Sequence, residues 1–292
     1  MKGIILAGGD GTRLYPITKT VSKHLLPIYD KPLIYYPLSI LMMAGIKEIA
    51  IIVTSESIRL YEKLLSNSKN LGITIKFFIQ DVPNGIPEAL NITSDFIKND
   101  KVCMILGDNI FYGSNFINTY LKPHFKKNLG SSIFLYRVKD PHRFGIVELN
   151  SNKKIISICE KPIKPKSNLA ITGIYIFDKN VTNYSKNLKK SSRGETEIID
   201  LLKKYQKKEL LNYSVISRGT TWMDAGTPDS LIKSSQLVQI IEERENLKIA
   251  CLEQIAYEKK FIIKSNLKKL IKNLPKSSYK EYLEKYFDNE CI

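Results

Sequence analysis

Cysteine is scarce in this chain, four residues in 292. Cys103, Cys159, Cys251 and Cys291 stand too far apart for a disulfide framework or a zinc site. Histidine is scarcer still, and none of His24, His124 and His142 stands in the setting of a nucleophile–base relay. No apolar run approaches the roughly 18 residues of a membrane span. The opening Met1-Lys2-Gly3-Ile4 runs directly into a strand without the shape of a signal peptide. Internal repeats and low-complexity linkers are missing as well. These absences exclude a disulfide scaffold and a helical membrane protein, and make the cytoplasm the expected compartment. Asn91-Ile92-Thr93 and Asn212-Tyr213-Ser214 then read as chance matches to glycosylation acceptors.

Acidic charge is in deficit: the net charge is +16 and the pI about 9.5. Such a balance raises nucleic acid as a partner, but the distribution weakens that reading. From Ile241 onward there are eleven Lys/Arg against nine Asp/Glu, and the densest basic stretch, 186–208, has eight against three. Scattered lysines read as a solvated surface, and no zinc-finger or aromatic ribonucleoprotein motif accompanies them. A basic field also draws small phosphorylated substrates, so neither nucleic acid nor a membrane surface is expected as a partner.

What the chain has is apolar content, 43% hydrophobic residues, enough for a large core. Strand patterns fall over 3–6, 48–54, 73–79, 102–106, 132–138 and 171–177, with a hairpin of 144–149 and 153–159, and a strand over 210–217 leading to Trp222. Helix patterns fall over 31–44, 56–65, 87–98, 115–127, 196–208 and 228–245, with Thr227 capping the last and short helical pieces to the end. The β-α-β-α alternation predicts a Rossmann-like α/β fold, a mostly parallel central sheet flanked by helices, with small insertions. A core over 1–240 and a helical extension over 241–292 is the simplest organisation. Ligands of such sheets lie outside the carboxyl ends of the strands.

At the first such end stands Leu6-Ala7-Gly8-Gly9-Asp10-Gly11-Thr12-Arg13-Leu14. Glycines let the backbone approach a phosphate or base closely, and Arg13 adds a forked cation. Pro16, Ser22-Lys23 and Pro27 extend the loop and bring a second cation. The loop is not a dinucleotide fingerprint, which needs glycine at Leu14, nor a Walker loop. It reads as a triphosphate site of a third type.

Two carboxylates stand at later strand ends: Asp108 in Leu106-Gly107-Asp108-Asn109, and Asp224 in Trp222-Met223-Asp224-Ala225-Gly226-Thr227. Each alone is an ordinary turn residue. Together beside a phosphate loop they suit one Mg²⁺ that shares substrate oxygens. Glu160-Lys161-Pro162 offers a cation for a phosphate and an acceptor for sugar hydroxyls. Gln80, with Gly85 close behind, offers an amide to a base edge.

The motifs Gly-Gly-Asp-Gly-Thr-Arg-Leu-Tyr-Pro, Ser-Lys-His-Leu-Leu-Pro-Ile-Tyr-Asp-Lys-Pro and Leu-Gly-Asp-Asn-Ile-Phe-Tyr-Gly resemble the sugar-nucleotide pyrophosphorylases. Within them the chain, over residues 2–254, is similar to the glucose-1-phosphate thymidylyltransferases; Glu-Lys-Pro, Arg-Gly-Glu-Thr-Glu-Ile and Trp-Met-Asp-Ala-Gly-Thr continue the match. The resemblance implies formation of dTDP-glucose from dTTP and glucose 1-phosphate, as for dTDP-rhamnose biosynthesis. It implies Leu6, Gly8, Gly9, Gly11, Thr12, Arg13 and Lys23 around the nucleotide, His24 beside its sugar, and Gln80 and Gly85 at the thymine. Asp108, Asn109, Gly145, Glu160, Lys161 and Ile171 would surround the glucose phosphate, with Arg13, Lys23 and Lys161 as the catalytic cations. Asp108 and Asp224 would bind Mg²⁺, in a homotetramer.

Three features depart from the family pattern: His24 where glutamine is usual, Phe144 where tyrosine is common, and Gln254 with Glu258 at a regulatory site between subunits. Three other readings stand beside this one: a uridylyltransferase, a non-catalytic nucleotide-sugar sensor, and a basic nucleic-acid binder.

Overall fold

The computed structural model describes residues 1–9, 11–127, 129–191 and 194–289; Asp10, Arg193 and Cys291 lie outside the described residues. Its first strands are β1 (Lys2–Leu6), the short pair β2 (Pro27–Ile28) and β3 (Lys31–Pro32), β4 (Glu48–Val53), β5 (Thr74–Ile79) and β6 (Val102–Leu106). There follow β7 (Asn109–Gly113), β8 (Ser131–Arg137), β9 (Gly145–Leu149), β10 (Ile155–Glu160), β11 (Leu169–Phe177), β12 (Leu211–Val215) and β13 (Thr220–Asp224). The helices are α1 (Tyr35–Met43), α2 (Ile58–Leu64), α3 (Glu88–Ile92), α4 (Ser94–Ile97), α5 (Lys122–Phe125), α6 (Val181–Ser185) and α7 (Ile198–Lys207). After these come α8 (Pro228–Glu245), α9 (Leu252–Glu258), α10 (Lys264–Asn273) and α11 (Ser278–Asn289).

The central sheet runs β10-β9-β11-β6-β1-β4-β5, with β8 paired to β11 and β12 paired to β8. Strands β6, β1, β4 and β5 are parallel; β11 lies antiparallel to β6, β8 and β9. The expected α/β architecture is present, with its parallel half carrying the first glycine loop.

Alternate residues explain why these strands read as unbroken apolar runs. Ile5, Ile51 and Ile105 enter one core while Ile4, Ile52 and Met104 enter another, on the opposite face of the sheet. A strand covered on both faces needs no polar alternation. The first core is closed by α1 and by the C-terminal helices through Leu252, Leu267 and Leu283. The second is closed by α3, α4, α6 and α7.

Several elements differ from the sequence expectation. The helix expected over 31–44 begins at Tyr35, because Lys31–Pro32 pairs with β2. Gly45 closes it at φ 87°. The helix over 87–98 breaks at Thr93, whose hydroxyl donates to the Ala89 carbonyl at 2.6 Å and competes with the backbone ladder. The one over 115–127 is a wide π turn, Ile117–Leu121, running into α5 at Pro123, which has no N–H to continue the ladder. The stretch from Leu211 to Trp222 is two strands, and β13 leaves the central sheet to pair antiparallel with β7. That two-stranded ribbon was not anticipated from the sequence.

Candidate active site

The parallel strands end along one rim. From the end of β1 the Ala7 N–H donates to the Ile52 carbonyl. Gly8 then packs beside Gln80, whose carbonyl an added Cβ would meet at an ordinary 3.4 Å. Gly11, at φ 62°, turns the chain into a single 3-10 turn, Thr12–Leu14. That left-handed conformation is the one glycine adopts at little cost. Leu14 is anchored in the interior and Arg13 is left facing out.

Asp108 follows β6. Its Oδ2 accepts from Lys23 Nζ at 2.5 Å and its Oδ1 from Asn109 Nδ2 at 2.9 Å. Burial pushes its carboxyl upward, but the Lys23 ammonium, then His24 and the two hydrogen bonds, hold it well below the usual carboxylate range. Asp224 comes to the same place by the β7–β13 ribbon, where it pairs directly with Asn109. Burial and then the Asp108 charge push its carboxyl upward, against the pull of Arg13, Lys23 and Arg143. The Arg13 guanidinium meets it from the loop side: a Cβ on Gly226 would lie 2.7 Å from both Arg13 Nη2 and Asp224 Oδ1.

These groups line one cavity of about 240 Å³, with Asn109, Gly145, Glu160, Lys161 and Ile171 in its wall. Lys161 sits just past β10 at φ 41°, its N–H donating to the Phe144 carbonyl at 3.0 Å. Its Nζ lies 3.9 Å from Glu160 Oε1. The expected sugar-side set, Arg13, and the carboxylate pair therefore converge.

The nucleotide-side set is more dispersed. Lys23 joins the cavity only through Asp108. Gln80 is buried, and Gly85 packs on the backbone of Thr196, leaving no space for a side chain. Gly9 faces a separate cleft with Thr18, Ser22 and Thr54. Leu6, Gly8, Gly11 and Thr12 are not among the residues that line the cavity. His24 is packed behind the main chain, where a Cβ on Gly107 would lie 2.6 Å from its ring. Burial, then the Lys23 charge, drops its pKa to about 3, so the ring is neutral and its side chain is outside the cavity wall.

The wall also holds residues that sequence reasoning did not assign to the site, Arg143 and Trp222 among them. Arg143, on a 3-10 turn before Gly145, puts Nη2 at 3.6 Å from Asp224 Oδ2. Trp222 hydrogen-bonds Asn109 Oδ1 through Nε1 at 2.5 Å. Trp222 opens a motif that carries the resemblance, while the only local sign of Arg143 was its place two residues before Gly145. Among the described residues no group of three or more His, Cys, Asp and Glu is arranged to hold a metal; Asp108 and Asp224 are two.

Fold and site together define a nucleotidyltransferase, and residues 2–240 match the family model described as Nucleotidyl transferase. A Neisseria meningitidis glucose-1-phosphate thymidylyltransferase is 47% identical over 283 residues, 97% of this chain and 98% of the relative. The Mycolicibacterium smegmatis enzyme of the same name is 44% identical over 290 residues, 99% of this chain and 100% of its own. This chain belongs to the glucose-1-phosphate thymidylyltransferase family. In structure it is similar to a Bacillus anthracis protein assigned that name, at TM-score 0.75 and 42% identity over 81% of this chain and 94% of the other. A UDP-glucose pyrophosphorylase structure, at TM-score 0.69 and 24% identity over 82% of this chain and 98% of its own, shares the fold.

Proposed function

We infer that this enzyme joins dTTP and glucose 1-phosphate to give dTDP-glucose and pyrophosphate. The observation that carries the reading is the meeting of Arg13, Lys161, Asp108 and Asp224 in the wall of one cavity. A phosphate oxygen of the sugar phosphate forms a bond to the α-phosphorus. The bond from that phosphorus to the bridging oxygen breaks, and pyrophosphate leaves with the electron pair. The attacking oxygen is already anionic, so no general base is required. The protein contributes alignment and charge neutralisation. Arg13 and Lys23 face the triphosphate, Lys161 the sugar phosphate, and Glu160 the sugar hydroxyls. Gln80 and Gly85 read the thymine.

Asp108 and Asp224 fit a Mg²⁺ ion. They are hard oxygen donors in one cavity wall, and the charge of Asp108 already bears on Asp224, so the pair would hold such a cation. The chemistry supplied at this pair, with the ion bound, would be neutralisation of the charge that builds on the phosphate oxygens. Residues 1–240 serve as the catalytic unit, with 241–292 packed against it, in a cytoplasmic homotetramer that supplies dTDP-sugar synthesis such as that of dTDP-rhamnose. Its ligands are these small molecules, not nucleic acid or membrane.

The test is pyrophosphate release by the purified protein with Mg²⁺, glucose 1-phosphate and each of dTTP and UTP. Release with dTTP at the higher kcat/KM supports the reading. Preference for UTP makes the enzyme a uridylyltransferase. No release with either triphosphate leaves a nucleotide-sugar sensor.

A further inference from the structure

We propose that Trp222 is a positioning residue which, acting through Asn109, fixes the Asp108 carboxylate in the orientation that cation binding requires. The proposal rests on the reaction inferred above.

Asn109 is held at three points. Its Oδ1 accepts from the Trp222 indole at 2.5 Å and from the Gly173 N–H at 3.1 Å. Its Nδ2 donates to Asp108 Oδ1 at 2.9 Å. An amide can be rotated end for end at little cost when its surroundings are indifferent, but these are not. The flipped form would set its NH₂ against two N–H donors and its oxygen against a carboxylate. Two donors on one side therefore decide which end of the amide faces Asp108. Lys23 holds the other carboxylate oxygen at 2.5 Å, so Asp108 is fastened at both.

The indole is itself held in place. The Phe144 and Tyr136 rings stand edge-on to it, with centroids 5.2 and 5.8 Å away. The Asn109 amide also packs directly on Gly173, where an added Cβ would fall 2.6 Å from its amide carbon and oxygen. A buried indole N–H normally finds some acceptor. Here the acceptor is an amide whose other end governs Asp108, which extends an ordinary packing role to the site.

The test begins with the wild-type protein, by Mn²⁺ binding in electron paramagnetic resonance and by pyrophosphate release. Trp222→Phe keeps an aromatic ring beside Phe144 and Tyr136 and removes the N–H together with part of the indole. The variant is expected to bind Mn²⁺ about tenfold more weakly, in the range of lost outer-shell partners. Its kcat should fall while KM for dTTP stays near the wild-type value and the melting temperature changes little. Asn109→Ala should weaken Mn²⁺ binding too. Because Trp222 is the chain's one tryptophan, its emission should respond to Mg²⁺ in the wild type and lose that response in Asn109→Ala. Wild-type protein that binds Mn²⁺ and turns over, beside Trp222→Phe or Asn109→Ala with unchanged Mn²⁺ affinity, overturns the proposal alone. Wild-type protein that neither binds Mn²⁺ nor releases pyrophosphate overturns the reaction and this proposal with it.

Discussion

Asp224 is paired with Asn109 across the β7–β13 ribbon, and this register brings the carboxylates of Asp108 and Asp224 close enough for the charge of one to raise the pKa of the other. The ribbon stands outside the central sheet. It makes one acidic pair out of two strand ends that are far apart in the chain.

Gly226→Ala should separate folding from turnover. The added methyl would fall 2.7 Å from Arg13 Nη2 and Asp224 Oδ1. Gly226 has an ordinary φ, and the clash falls on flexible side-chain ends, so a thermal melt should stay close to wild type. Displacing a charge-neutralising group costs on the order of 100-fold in kcat. A steady-state assay beside the melt checks both halves.

Lys161→Gly should lower kcat by about 100-fold or more, because it removes the cation assigned to the sugar phosphate. Stability should hold or rise. Lys161 lies at φ 41°, a conformation that costs a non-glycine residue about 1 kcal/mol and glycine little. Denaturant melts showing a large loss of stability would contradict this account of the turn.

Stability should fall with acidification between about pH 6.5 and 4. Burial drops the pKa of His24 to about 3 and that of His124 to about 4. His124 lies between the hydroxyls of Ser132 and Ser214, each at 2.8 Å. Unfolded histidine binds a proton below about pH 6.5 and these folded ones do not, so protons favour the unfolded chain. Each contributes a loss of about 1.4 kcal/mol per pH unit across that window. A pH series of melts measures the slope, and His124→Gln should make it shallower.

Glu242→Ala should destabilise the protein by about 3 kcal/mol. Glu242 accepts from Lys31 at 2.8 Å and from Lys248 at 3.0 Å, and Lys31 is only 3% exposed. The variant leaves the Lys31 ammonium buried with Asp30 as its remaining partner. Lys31→Met combined with Glu242→Leu should recover most of the loss in an equilibrium urea titration.

The parallel half of the fold was legible because its strands are covered on both faces, so β1, β4 and β6 read as unbroken apolar runs. The sugar-side residues were legible where they stand beside strand ends, as Glu160, Lys161 and Asp108 do. Arg143 was not, because it has no local pattern and acts by reaching Asp224; Trp222 opens a quoted motif, but nothing local pointed to its bond with Asn109. His24 was expected beside the nucleotide, and only packing reveals that its ring is shut behind Gly107.

Periodicity, glycine placement and residue chemistry by themselves determined the layered α/β core and the loop that carries Arg13, since these depend on neighbours a few residues apart. Only tertiary structure decided which polar groups face one another. The β7–β13 register, the orientation of the Asn109 amide and the opposed pKa directions of Asp108 and Asp224 all arise between distant segments. Their energies depend on ångström-scale distances and on exclusion of water, and neither exists until the chain has packed.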